Sequence, residues 1–409
     1  FTFIIGESIG LWFVTNKLII PEERLTAALW LYQASVLSTC VNILNVPYNA
    51  SIIAHENMGA FAYISIIQVI AKLIIVLVLP YIPADRLIIF SILTISVSLI
   101  IQLIYWQYSY RKFKETHFKW IWDKYIWKDM SSFASWNITG DLAYMCNTQG
   151  INILLNLFFG PVVNAARGVA VQVESVMIQF IGNFQTAISP QITKSYAAGN
   201  IEQTRHLTLK ASKFCFFLMM IIAIPAFLEI EYVLKLWLQK IPTYTVIFAK
   251  LTIIMIIFDC LSRPLHLAIF ATGTVKKYQI IQSSIYLLIL PISYILLKNL
   301  HVTPNVIIGV LALFKFIVLT VRIKLTSTLI AIPINKYITN VLVPSVQCLI
   351  LSLILPLVIT LSYPESLTRV CLTCSISLLS STVIIYTYGL TYDEKQFIKN
   401  QIHKIVLKR

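Results

Sequence analysis

Leu87-Ile-Ile-Phe-Ser-Ile-Leu-Thr-Ile-Ser-Val-Ser-Leu-Ile-Ile-Gln-Leu-Ile-Tyr-Trp-Gln-Tyr-Ser-Tyr110 carries no charge over 24 residues and is closed by Arg111-Lys-Phe-Lys114. A helix crossing about 30 Å of hydrocarbon needs about 20 such residues, and a cationic end is the usual anchor of one. The rest of the chain repeats this pattern. Of its 409 residues 58% are apolar or aromatic and only 12% are charged; mean hydropathy is +0.80. A soluble domain has about twice that charge, so the net charge of +15 does not describe a water-soluble nucleic-acid-binding protein. Twelve segments read as spans: 1–14, 27–52, 60–79, 87–110, 131–158, 163–188, 211–229, 246–272, 279–297, 305–323, 338–361 and 369–390. Strand-like alternation is absent, which favours helices over an outer-membrane barrel.

The first segment opens without Met inside an apolar run and contains Glu7. It has neither the basic start nor the small-residue cleavage site of a signal peptide, so residue 1 is expected to be an internal position of a longer chain. Lys and Arg orient the spans. With 111–130 placed in the cytoplasm, 20 basic residues lie on that side and 8 on the other, which puts the C-terminus in the cytoplasm. In 111–130 the cations interleave with Trp120, Trp122 and Trp127, as in a helix lying on anionic headgroups.

Stretches between spans reach only about 20–25 residues, too short to bury a core of their own. No metal-ligand spacing, nucleotide-binding glycine loop or serine nucleophile elbow occurs. Cys371-x-x-Cys374 lies inside an apolar run and reads as helix packing. Neither a cofactor nor an enzymatic activity is expected.

Polar residues at bilayer depth normally face a bundle interior or a wet cavity. At 100° per residue Ser38, Asn42, Asn45 and Asn49 fall within about 60° of arc, and Asn137, Asp141, Thr148, Asn152 and Asn156 within about 100°. Two seams of this kind suit a hydrated path, although single carboxamides often only join helices. Lys72 and Arg167 are candidates for an anionic ligand. Asp259 and Arg263, with His266 on their face, read as a local ion pair. Arg167 and Glu174, seven apart, lie too far along one face to pair directly. The expected substrate-binding set is Lys72, Arg167, Asn42, Asn45, Asn49, Asn137, Asn152 and Arg263. Asp141, Glu174 and Asp259 are the candidates for ion coupling.

Three stretches carry a resemblance. They are Val46-Pro-Tyr-Asn-Ala-Ser-Ile-Ile-Ala-His-Glu-Asn-Met58, Phe158-Phe-Gly-Pro-Val-Val-Asn-Ala-Ala-Arg-Gly-Val-Ala-Val-Gln-Val173 and Asn183-Phe-Gln-Thr-Ala-Ile-Ser-Pro-Gln-Ile-Thr-Lys-Ser-Tyr-Ala-Ala-Gly-Asn200. Together they resemble bacterial polysaccharide flippases of the multidrug/oligosaccharidyl-lipid/polysaccharide exporter superfamily. The resemblance implies two six-helix lobes related by a pseudo-twofold and two extra helices, fourteen in all, of which about twelve are present here. Its divisions are a first lobe over 1–110 lacking two helices, a cytoplasmic linker over 111–130, a second lobe over 131–326, two extra helices over 327–390 and a basic tail over 391–409. It also implies a substrate, an undecaprenyl-pyrophosphate-linked oligosaccharide, moved across the bacterial inner membrane by alternating access for O-antigen or capsule-type polysaccharide. Anionic lipids and other polysaccharide-assembly proteins are the further partners expected, and nucleic acid is not. The alternatives are a drug/cation antiporter of the same superfamily and a membrane-embedded polysaccharide polymerase or acyltransferase.

Overall fold

A computed structural model describes residues 2–16, 22–83, 85–117, 122–238, 240–396 and 399. Lys17, the centre of the 111–130 segment and the tail beyond residue 399 lie outside them. Within them the chain is an all-α polytopic membrane protein. Its helices, in order, are α1 Thr2–Ile5, α2 Leu11–Asn16, α3 Glu22–Ala54, α4 Met58–Val78, α5 Arg86–Lys112, α6 Lys124–Phe159 and α7 Pro161–Ala197. These are followed by α8 Ile201–Trp237, α9 Thr245–Ala271, α10 Lys276–Leu300, α11 Pro304–Leu329, α12 Ile334–Tyr337, α13 Val343–Ser362 and α14 Leu367–Ile384. Among the described residues nine helical segments are long and apolar enough to span a membrane. The expected twelve differ for two reasons. Helices α6 and α7, at 36 and 37 residues, are ample in length but too polar to count by hydropathy. The described part of the first expected span is two short helices joined by a π turn at Gly6–Gly10, and neither helix alone has the length counted for a span.

Local chemistry sets the helix ends. Asp123 accepts from the Tyr125 and Ile126 amides at the start of α6, and Asn200 and Ser366 cap α8 and α14 in the same way. Pro161 and Pro304 occupy first turns, where a missing N–H costs nothing. Gly160 and Gly199 adopt φ of 80° and 74° at the α6–α7 and α7–α8 junctions, a region that disfavours a side chain. The 189–210 stretch expected between spans is therefore mostly helix, broken only at Ala198-Gly199-Asn200. The surface helix expected over 111–130 is likewise not continuous. Its described parts are the last turn of α5, a 3-10 turn at Lys114–Thr116 and the start of α6.

The chain divides into two compact units, 1–122 and 123–409. In the first, α3 lies along α5 and α4 joins both, around a core of Ile52, Ile64, Ile101, Tyr105 and Phe113. In the second, α9 is central, packed by α7, α8 and α11, while α6 pairs with α10. Helix α6 approaches α10 closely at Gly140 and Gly150, where a Cβ would run into Gln279 and Leu290.

Helices α13 and α14 pack on each other and against α8. Two buried ion pairs fix them there. Arg369 forks onto Glu229 (Nη2–Oε2 2.8 Å, Nε–Oε1 3.1 Å) with Thr373 donating to the same carboxylate at 2.9 Å. Lys213 reaches Glu394, in a short helical stretch over 392–396, at 2.6 Å, and the Thr391 amide donates to the same oxygen at 2.8 Å. Four of the cations counted by side are buried: Lys213 and Arg322 on the more basic side, and Arg167 and Arg369 on the other. Setting these four aside leaves 18 basic residues against 6, so the charge asymmetry persists.

The Glu394 contact gives a pH prediction. Burial raises its carboxyl, but the Lys213 and Thr391 hydrogen bonds outweigh burial and hold it below the ordinary carboxylate value. Its contribution is therefore complete above the ordinary pKa near 4.3 and is lost as pH falls through the depressed folded value. Glu394→Gln is expected to destabilise the purified protein by about 3 kcal/mol at pH 7, because Lys213 is left buried and unpaired. In thermal unfolding the gap from wild type should narrow steadily as pH falls below the ordinary carboxylate value; a gap that does not narrow on acidification would refute the role of the charge.

A cationic chamber as the candidate functional site

Helix α9 presents Asp259, Ser262, Arg263 and His266 on one face, and α11 brings Lys315 and Arg322, two turns apart, against it. The Lys315 ammonium binds Asp259 Oδ2 at 2.6 Å and lies 5.8 Å from the Tyr144 ring centre. Arg322 spends its donors on three partners: Ser262 Oγ at 2.7 Å, Tyr278 Oη at 2.9 Å and Gln282 Oε1 at 3.1 Å. Tyr278 in turn donates to Gln282 Oε1. Of these groups Tyr144, Asp259, Lys315 and Arg322 line a cavity of about 360 Å³, together with Gln185, Arg263 and His266. A smaller cavity of about 30 Å³ shares Tyr144, Tyr286 and Lys315 with it and is lined further by Asn147, Arg167 and Glu174.

Arg167 is the most informative member. It is 5% exposed, and its Nε and Nη1 atoms are buried without a partner. Asn147 Oδ1 in the same cavity is also buried and unpartnered. An unpaired guanidinium far from water is costly, and such a group in a native fold calls for an explanation. Across the two cavities stand four cations, Arg167, Arg263, Lys315 and Arg322, against two carboxylates, Glu174 and Asp259. The chamber therefore carries an excess of two positive charges, with His266 counted neutral. An excess of positive charge of this kind is the electrostatic complement of an anion.

Of the sequence candidates, Arg167, Glu174, Asp259 and Arg263 line this chamber. Arg167 and Glu174 do not pair, as their spacing indicates. The Asp259–Arg263 ion pair expected within α9 is replaced by Asp259–Lys315 across two helices. Arg263 makes no ion pair among the described residues and stays available to the cavity. Asn137 joins helices: its Oδ1 accepts from Gln279 Nε2 at 2.8 Å and its amide donates to Phe133 O. Asp141 is exposed on α6, so the packed face of that helix is offset from the polar arc read from the sequence. Asn152 donates to Gln149 at 3.4 Å and its Oδ1 is buried without a partner.

Lys72, Asn42, Asn45 and Asn49 belong to the first unit. Lys72 and Asn42 are exposed there, whereas Asn45 and Asn49 each hold an unpartnered buried Oδ1. Sequence reasoning missed Lys315, Arg322 and Asn147. A signal existed for the first two: cations seven apart share one helical face, as do Asp259, Arg263 and His266 on α9.

The comparisons with known proteins identify no relative. No family model, curated protein or solved structure matches the chain.

Proposed function

We propose that this protein is a transporter that moves an anionic, pyrophosphate-linked lipid oligosaccharide across the bacterial inner membrane by alternating access. The observation that carries the reading is the buried, unpartnered Arg167 guanidinium in a chamber with an excess of cations. The flippase resemblance of the Phe158–Val173 stretch, which contains Arg167, supports the same conclusion. In this mechanism the glycan and diphosphate occupy a polar path inside the protein while the polyprenyl tail stays in lipid. Arg167 forks onto the diphosphate, Arg263 offers a second cation, and the carboxamide and tyrosine groups nearby suit sugar hydroxyls. Each guanidinium nitrogen of Arg322 already bonds a protein partner, so in this mechanism it shapes the chamber rather than binding. Asp259 and Glu174 are the acids available to couple the movement to an ion gradient, worth about 2.3 kcal/mol per charge per 100 mV. A drug/cation antiporter is disfavoured by the same charge balance, which repels a cationic substrate.

The test is surface-polysaccharide export in cells relying on the full-length protein. Arg167→Ala is expected to lower export about 10- to 100-fold, the worth of one or two charge-assisted hydrogen bonds, with Arg167→Lys intermediate. Lys72→Ala serves as the companion variant in the first unit. Normal export by Arg167→Ala at normal abundance would remove the proposed role.

A further inference from the structure

A second feature of this unit lies outside the chamber. A cleft of about 1190 Å³ opens between the first turns of α6, the α9–α10 turn, the start of α10 and the end of α11. It exceeds the roughly 300–1,000 Å³ of ordinary small-molecule pockets. Its walls include Met130, Phe133, Ile280 and Leu329, all exposed, so its apolar lining stays open to the surroundings. Its polar side is cationic. Lys276 and Lys277 open α10, and the Lys276 ammonium sits 5.1 Å from the Trp136 ring centre. Asp129 is the lone carboxylate of the lining, leaving one net positive charge.

We propose that this cleft binds an anionic two-chain phospholipid of the phosphatidylglycerol type. Acyl chains would lie against Met130, Phe133, Ile280 and Leu329, and the phosphate would meet Lys276 and Lys277. Three observations favour this occupant over a soluble ligand. The walls are apolar and exposed, on α10 and α11, which are long and apolar enough to span a membrane, and on the neighbouring α6. The cations sit at the helix ends, at the depth of headgroups, where a tryptophan also prefers to lie. Basic pockets between spans on the cytoplasmic side are a recurrent means of holding acidic headgroups, and this end of α6, α10 and α11 is the basic one, with Lys128 and Lys324 close by in sequence. The inference does not depend on what the chamber transports.

Native mass spectrometry of the purified full chain, exchanged into micelles with equal phosphatidylglycerol and phosphatidylcholine, tests it. Wild type should retain phosphatidylglycerol selectively. Replacing both lysines (Lys276→Ala with Lys277→Ala) should cut that retention about 25-fold, about fivefold for each charge, and leave phosphatidylcholine unchanged. Asp129→Asn should increase phosphatidylglycerol retention. Lys298→Ala, an exposed lysine at the opposite end of α10 with a similar contact to Tyr294, should change nothing. Equal retention of the two lipids by wild type would overturn the proposal. So would unchanged retention in the double variant, or an equal loss in Lys298→Ala. All four lysine and aspartate positions are exposed, so these variants are expected to fold.

Discussion

Arg369→Ala is expected to destabilise the protein by about 3–5 kcal/mol, among the largest effects of any single substitution here. The side chain is 10% exposed and forms both arms of a forked contact to Glu229, whose side chain is 1% exposed. Removing the guanidinium leaves a carboxylate buried with only the Thr373 hydroxyl as a side-chain donor. Three further groups hold α13 and α14 against the bundle: Tyr337 Oη donates to Leu261 O at 2.8 Å, Lys213 pairs with Glu394, and Lys235 pairs with Glu365. Lys235–Glu365 is solvent-exposed and contributes little. Loss of Arg369 should therefore loosen α14 first, seen as earlier amide exchange over 367–384 than over α9. Combining Arg369→Met with Glu229→Met should recover most of the stability, since it is the stranded charge that costs. A single variant as stable as wild type would mean that the carboxylate finds water.

Lys315→Met is expected to abolish the proposed transport and to cost about 3 kcal/mol. The pair it breaks is slightly more open than Glu229–Arg369, with side chains 15% and 11% exposed, which places the loss at the low end for buried ion pairs. The functional effect is larger for two reasons. The chamber's excess of positive charge halves from two to one, and the freed Asp259 carboxylate points into the cavity where the anion is proposed to sit. Asp259→Asn acts in the opposite sense: it raises the excess to three and strands Lys315. It should bind an anionic ligand more tightly yet turn over more slowly, because release is then impeded. Anion affinity that falls in Asp259→Asn, measured in the purified protein, would show that the carboxylate holds the cations in place rather than opposing them.

These residues also show what a sequence discloses. The helical class followed from run length and missing charge alone, since hydrocarbon admits few alternatives. Arg167, Glu174, Asp259 and Arg263 were found because an ionisable residue inside an apolar run is rare. Partnership was not legible. Asp259 has a cation four residues on, a spacing that permits a pair within one helix, yet it binds one 56 residues away, because α11 packs against α9 and brings the Lys315 ammonium to 2.6 Å. Arg322 looked like a loop cation because it ends an apolar run; only the packing of α9, α10 and α11 shows that each of its three guanidinium nitrogens bonds a partner inside. The Asn137 arc failed differently. A helical wheel tells which residues share a face but not what meets that face, and at Asn137 it is Gln279 of a close neighbour.

The central claim is that Arg167 stands ready for a buried anion. Equilibrium binding of a short-chain polyprenyl pyrophosphate and of the matching uncharged polyprenol to the purified full chain tests it most directly. Wild type is expected to prefer the pyrophosphate by about 10- to 100-fold, and Arg167→Ala to lose that preference while binding the polyprenol as before. Equal affinity of wild type for the two lipids, or a preference that survives in Arg167→Ala, would contradict it.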